Sequence, residues 1–162
     1  MSTIDQRRHY HVNMATYLEL GKWLDYLRAN DVYDNTRIIL VADHGRCLNQ
    51  FGISCNNQDL ECFMPLLMVK DFNAKRFTVN EQFMTNADVP TIATSGIIKD
   101  PVNPFTRKPI NSDAKNGPQT VIFTPAWNPS ALEGTTFPES DRYVISGGKP
   151  HDPQSWKYAG KG

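Results

Sequence analysis

Apolar residues recur at spacings of three and four through residues 8–28, at Met14, Tyr17, Leu18, Gly21, Leu24 and Leu27, which predicts an amphipathic helix. Gly21 lies inside that stripe, where a glycine weakens the helix but permits close approach to a sheet. Asn30-Asp31 and Asp34-Asn35 break the helix and turn the chain into residues 37–42. Those six residues, Arg-Ile-Ile-Leu-Val-Ala, do not alternate, which predicts a strand buried on both faces. A helix leading into a doubly buried strand predicts an α/β core.

Residues 46–61 turn to Asn, Gln, Cys and Gly and read as a loop, followed by a strand over 64–69 and a short extended piece over 77–79. A second helix starts near Asp88, its expected N-cap, with Pro90 in the first turn. Beyond Ile98 the chain is rich in Pro, Asn, Gly and Lys, and only 119–124 and 142–146 read as strands, with a flexible tail after Trp156. Trp23, Tyr26, Trp127 and Trp156 read as packing residues rather than a ligand platform, and His151 as structural or exposed.

Size and charge narrow the function classes. A chain of 162 residues suits a modest globular core. Its 17 Lys and Arg balance 17 Asp and Glu, which removes the electrostatic argument for nucleic acid or an anionic membrane surface. No apolar stretch approaches the roughly 20 residues needed to span a bilayer, so the chain itself is expected to be soluble. Cys47, Cys55 and Cys62 fit neither a zinc knuckle nor a redox motif; one loop-closing disulfide and three reduced thiols are both compatible with their spacing.

The chemistry gathers at Ala42-Asp43-His44-Gly45, where the buried run opens into a turn. Asp and His side by side at a strand end offer a hard oxygen and an imidazole nitrogen to one divalent cation. Downstream, Cys62-Phe63-Met64-Pro65-Leu66-Leu67-Met68-Val69 and Asn86-Ala87-Asp88-Val89-Pro90-Thr91-Ile92-Ala93 follow in order, and His9-Tyr10-His11-Val12-Asn13-Met14 precedes. Together these blocks resemble the C-terminal part of the sulfatase and alkaline phosphatase superfamily, which includes the phosphoethanolamine and lipoteichoic acid glycerophosphate transferases. In that family an Asp-Asn-Thr turn leads to a central strand that delivers Asp-His-Gly to a metal, as Asp34-Asn35-Thr36 leads to Asp43-His44-Gly45 here.

The resemblance implies an α/β fold, the C-terminal part of an alkaline phosphatase-like three-layer sandwich with a small antiparallel sheet at its end. The expected division is 5–110 for the core, 111–156 for the antiparallel subdomain and 157–162 for the tail. It assigns Asp43 and His44 as ligands to a divalent metal (Zn, Mn, Mg or Ca), with Gly45 allowing the tight exit. Two protein ligands hold a metal weakly, and calcium would want more oxygens. Arg46 could reach a substrate oxyanion, and His9 or His11 could face the site. Many sulfatases hold sulfate with a His and a Lys after Asp-His-Gly; neither occurs between Arg46 and Met68, which turns the expectation toward phosphoryl or phosphoglycerol transfer.

In the resembled enzymes the nucleophile is a Ser, a Thr or a Cys-derived formylglycine, and it and further acidic ligands come from segments N-terminal to the matched blocks. The implied partners are therefore that N-terminal part and an anionic ester substrate, lipid or glycan. The parent is expected to be membrane-anchored with this region extracytoplasmic, and the isolated chain inactive. The alternative is a non-catalytic binding or assembly domain on the same scaffold.

Overall fold

A computed structural model describes residues 3–124, 139–147 and 149–162. Helix α1, Ile4–Ala29, starts four residues before the predicted boundary, because Thr3 and Gln6 form a reciprocal capping box. It ends at Asn30, whose N–H and side chain both return to the Tyr26 carbonyl. Only Leu27 of α1 is buried, while Tyr10, Tyr17 and Trp23 are exposed. Gly21 faces open space, so the close sheet contact expected of it is not made.

Strand β1, Ile38–Val41, pairs antiparallel with β4, Leu67–Lys70, in the register Ile38 to Lys70 through Val41 to Leu67. The predicted double burial does not hold among the described residues. Ile38 is buried, but Val41, Met68 and Val69 are exposed, and β1 has β4 as its one strand neighbour among the described residues. Between these strands lies a hairpin where a plain loop was expected. Strands β2, Ser54–Cys55, and β3, Gln58–Asp59, are joined by Asn56 and Asn57, both at positive φ (49° and 62°). Positive φ at both central residues is the two-residue hairpin turn that asparagine tolerates better than most residues.

A 3₁₀ turn over Leu60–Phe63 leads into β4, and another over Asn86–Asp88 leads into α2, Val89–Thr94. Pro90 stands in the first turn as predicted. Asp88 precedes the helix, yet its side chain does not cap forward; it turns back to accept from the Thr85 N–H at 2.9 Å. Residues 77–79, expected to be extended, form no strand, and Phe77 and Val79 stay exposed.

The C-terminal sheet is antiparallel in the order β5, Gln119–Phe123; β6, Asp141–Ile145; β7, Trp156–Lys161. The small antiparallel sheet was expected, but the stretch read as a flexible tail is its third strand. Its Gly and Lys content hides a weak alternation, and pairing with β6 supplies the backbone bonds that local composition does not announce. Trp127 lies outside the described residues.

The main core joins both parts of the chain across the expected boundary at 110. Leu60 meets Tyr143, Ile145 and Trp156, and Phe63 stacks on Trp156 (5.5 Å between centroids) and meets Phe123 edge-on at 5.4 Å. Each fully buried aliphatic there contributes about 1.5–3 kcal/mol. The architecture is mixed α/β with small antiparallel sheets, and the described residues by themselves form no three-layer sandwich. Among them no helix is long and apolar enough to cross a membrane.

Candidate metal site

The ladder of β1 and β4 extends one residue past β1, where the Ala42 N–H donates to Leu66 O at 2.9 Å, and then the chain turns. Gly45 lies flat against the 3₁₀ turn: its N–H donates to Cys62 O at 2.9 Å, and a Cβ at this position would collide with the Glu61 carbonyl. The glycine is thus required by close backbone approach. Two residues on, Cys47 is disulfide-bonded to Cys62, with Cα atoms 4.8 Å apart, leaving Cys55 free and half-buried. One loop-closing bridge, of the two possibilities open from sequence, is the one formed.

The loop after the turn is ordered by buried or backbone-bound carboxylates. Asp59 accepts from the N–H groups of Asn49 (2.7 Å) and Glu61 (2.9 Å), and the buried Glu61 accepts from the Phe51 N–H at 2.7 Å. From the far side, Asn86 donates to the carbonyls of Ala42 and Asp43 at 2.9 Å each. These residues escaped the sequence reading because the loop was taken as irregular and Asn86 only as part of a helix start.

Asp43 and His44 project outward, both largely exposed. Asp43 Oδ1 is occupied by the His44 N–H at 2.9 Å. His44 Nδ1 faces Gly45 O at 2.6 Å; a carbonyl can only accept, so this nitrogen carries a proton, and in the neutral ring the lone pair belongs to Nε2. Asp43 Oδ2 and His44 Nε2, an ion pair when the ring is protonated, stand 3.6 Å apart. Two ligands of a tetrahedral ion with bonds of about 2.0–2.2 Å are separated by about 3.3–3.6 Å. A histidine bonded through Nδ1 to a backbone carbonyl is also the usual way an imidazole is oriented toward a metal. The pair fits two coordination positions. Among the described residues no group of three or more His, Cys, Asp or Glu could hold a metal, so further ligands are not assembled there.

The other candidates are placed less tightly. Arg46 lines a depression of about 220 Å³ with Leu48, Gln50, Phe51, Glu61 and Met64. His9 is half-buried and His11 exposed on α1, and neither joins Asp43 and His44 in a metal-holding group. The amino end of α1 is nonetheless tied to the same loop, because Gln6 Nε2 donates to Leu48 O at 2.7 Å. His151 is exposed, as expected. A larger cavity of about 460 Å³ lies at the opposite end of β1, lined by Arg28, Asp31, Tyr33, Asp34, Ala74 and Lys75. Lys75 there pairs with Asp34 at 2.8 Å, which holds the Asp34 carboxyl below its usual range, and Arg28 pairs with Asp25 at 2.8 Å.

Two ion-pair centres missed from sequence hold the scaffold behind the site. The largely buried Arg37 donates to Asp71 Oδ1 through Nε (3.0 Å) and Nη2 (2.8 Å), and through Nη1 to the carbonyls of Ile92, Ala93 and Ser95 at 2.8, 3.0 and 2.6 Å. It thereby fastens the C-terminal end of α2 to the start of β1. The Phe72 N–H, and then Arg37, keep the Asp71 carboxyl below its ordinary value. Asp88, 1% exposed, accepts from Asn103 Nδ2 at 2.9 Å and pairs with Lys115 at 2.8 Å. Burial pushes this carboxyl up, but Lys115, Asn103 and the Thr85 N–H together outweigh it and hold it below the usual carboxylate range. No family model, no curated protein and no solved structure matches the chain.

Proposed function

We propose that this chain is the C-terminal portion of a metal-dependent hydrolase or transferase of phosphate or sulfate esters, contributing two metal ligands, Asp43 and His44. The carrying observation is the placement of Asp43 Oδ2 and His44 Nε2, 3.6 Å apart at the end of β1. Bound there, a divalent cation would supply Lewis-acid neutralisation of charge on the transferred group. Asp43 and His44 hold two of its positions, Gly45 keeps the turn tight against Glu61, and Arg46 offers a planar fork to an anionic oxygen. On this reading the nucleophile, the remaining ligands and the outer layers of a three-layer sandwich come from an N-terminal part outside this sequence. The parent would be anchored at the membrane with this region extracytoplasmic, where the Cys47–Cys62 bridge is compatible with the redox conditions.

The isolated chain is therefore expected to be inactive and to bind metal weakly. Turnover of p-nitrophenyl phosphate or p-nitrophenyl sulfate by the purified chain, lost in Asp43→Ala, would overturn this. A second reading, a stand-alone binding or assembly domain on the same scaffold, is favoured by the exposed apolar residues Val41, Met68 and Val69 on the small sheet and Tyr10, Tyr17 and Trp23 on α1. Light scattering separates the two: a well-behaved monomer favours the independent domain, and aggregation favours a portion severed from its other half.

A further inference from the structure

Asn86 spends both hydrogens of one amide nitrogen on consecutive main-chain carbonyls, Ala42 O and Asp43 O, each at 2.9 Å. Both partners are pure acceptors, so the end of the amide that faces them must be the nitrogen. The two carbonyls belong to the peptide planes on either side of Asp43. The second of these planes also carries the His44 N–H, which donates to Asp43 Oδ1 at 2.9 Å. Holding the carbonyls therefore fixes the direction of that N–H, and with it the rotation of the carboxylate that leaves Oδ2 beside His44 Nε2. The side chain doing this comes from a turn 43 residues further along the chain, so the placement is tertiary and not a property of the Asp-His-Gly turn itself.

We propose that Asn86 is a positioning residue for a divalent cation held by Asp43 and His44. The inference rests on the metal-binding reading above and adds a residue that the ligand pair depends on. Partners that orient metal ligands in this way change affinity by about 10–100-fold when removed. Asn86 is exposed, so its truncation leaves no cavity in the core.

The test is a Mn²⁺ titration of the isotope-labelled chain, read by NMR as paramagnetic broadening of the His44 ring signals, with the exposed His151, in the turn between β6 and β7, as internal control. In the native chain His44 broadens well before His151. In Asn86→Ala the Mn²⁺ concentration for half-broadening at His44 rises about 10-fold or more, while that at His151 is unchanged. Asn86→Gln, which keeps the donor on a longer stem, recovers part of the loss. A shift under about twofold in Asn86→Ala, or one shared equally by His151, overturns the proposal. Metal-free amide exchange distinguishes the two levels of failure. If the His44 N–H exchanges faster in Asn86→Ala but native His44 never broadens ahead of His151, the cation reading is what fails. If native His44 broadens selectively and neither property changes in the variant, the role of Asn86 is what fails.

Discussion

Replacing Lys115 by Met isolates the electrostatics of the buried Asp88 centre. Asp88 is 1% exposed and the Lys115 side chain 15% exposed, so their 2.8 Å contact is shielded from solvent. Methionine keeps the apolar stem and the neighbourhood of Met84, whose sulfur lies 3.4 Å from the lysine nitrogen, and removes only the charge. A hydrogen bond to a charged group is worth about 1.5–3 kcal/mol, and breaking a buried pair costs about 3–5 kcal/mol. Asn103 and the Thr85 N–H still serve the carboxylate, so the expected loss at pH 7 is about 3 kcal/mol, toward the lower end of the buried-pair range.

The pH dependence has a definite sign. In the native chain the Asp88 carboxyl lies below its unfolded value of about 3.9, so its contribution is fully present above that pH and is lost as pH falls through the folded value. Without Lys115, burial is opposed only by Asn103 and by the Thr85 N–H and hydroxyl, and the folded value rises. The penalty of Lys115→Met should therefore be largest at neutral pH and shrink below about pH 4, as the carboxyl becomes protonated. Urea unfolding followed by circular dichroism at pH 7 and pH 3 measures both. In an Asp88→Asn background the same substitution should cost little, giving a coupling of about 2–3 kcal/mol. A penalty below about 1 kcal/mol at pH 7, or one as large at pH 3, would refute the claim that this pair is what keeps Asp88 charged.

Arg37→Lys should destabilise the chain by about 2–4 kcal/mol, because an ammonium cannot serve Asp71 and three carbonyls together; thermal melting with a loss of amide protection in α2 would check it. Cys47→Ser with Cys62→Ser should cost about 2–4 kcal/mol in urea, since the bridge closes a loop across a separation of 15 residues, while Cys55→Ser costs much less. Thiol titration of the denatured chain should find one free thiol before reduction and three after.

Short-range signals were sufficient for much of the framework. The helix of α1, the apolar runs that became β1 and β4, Pro90 at the start of α2 and the strands β5 and β6 follow from periodicity and turn chemistry, which act over a few residues. The same is true of Asp43 and His44, whose adjacency at a strand end was the legible part of the site. Tertiary structure decided what those signals could not reach. Exposure of β1 depends on whether another layer covers it, and the apolar run alone implied that one does. Strand β7 exists because β6 lies beside it; its own Lys-Tyr-Ala-Gly-Lys sequence reads as a tail. The roles of Asn86, Arg37 and Lys115 depend on partners 27 to 58 residues away in the chain. Hydrogen bonds and ion pairs of that kind have no period and no local composition. They depend on where distant backbone segments come to rest, which is also why Cys62, and not Cys55, closes the loop behind Asp43 and His44.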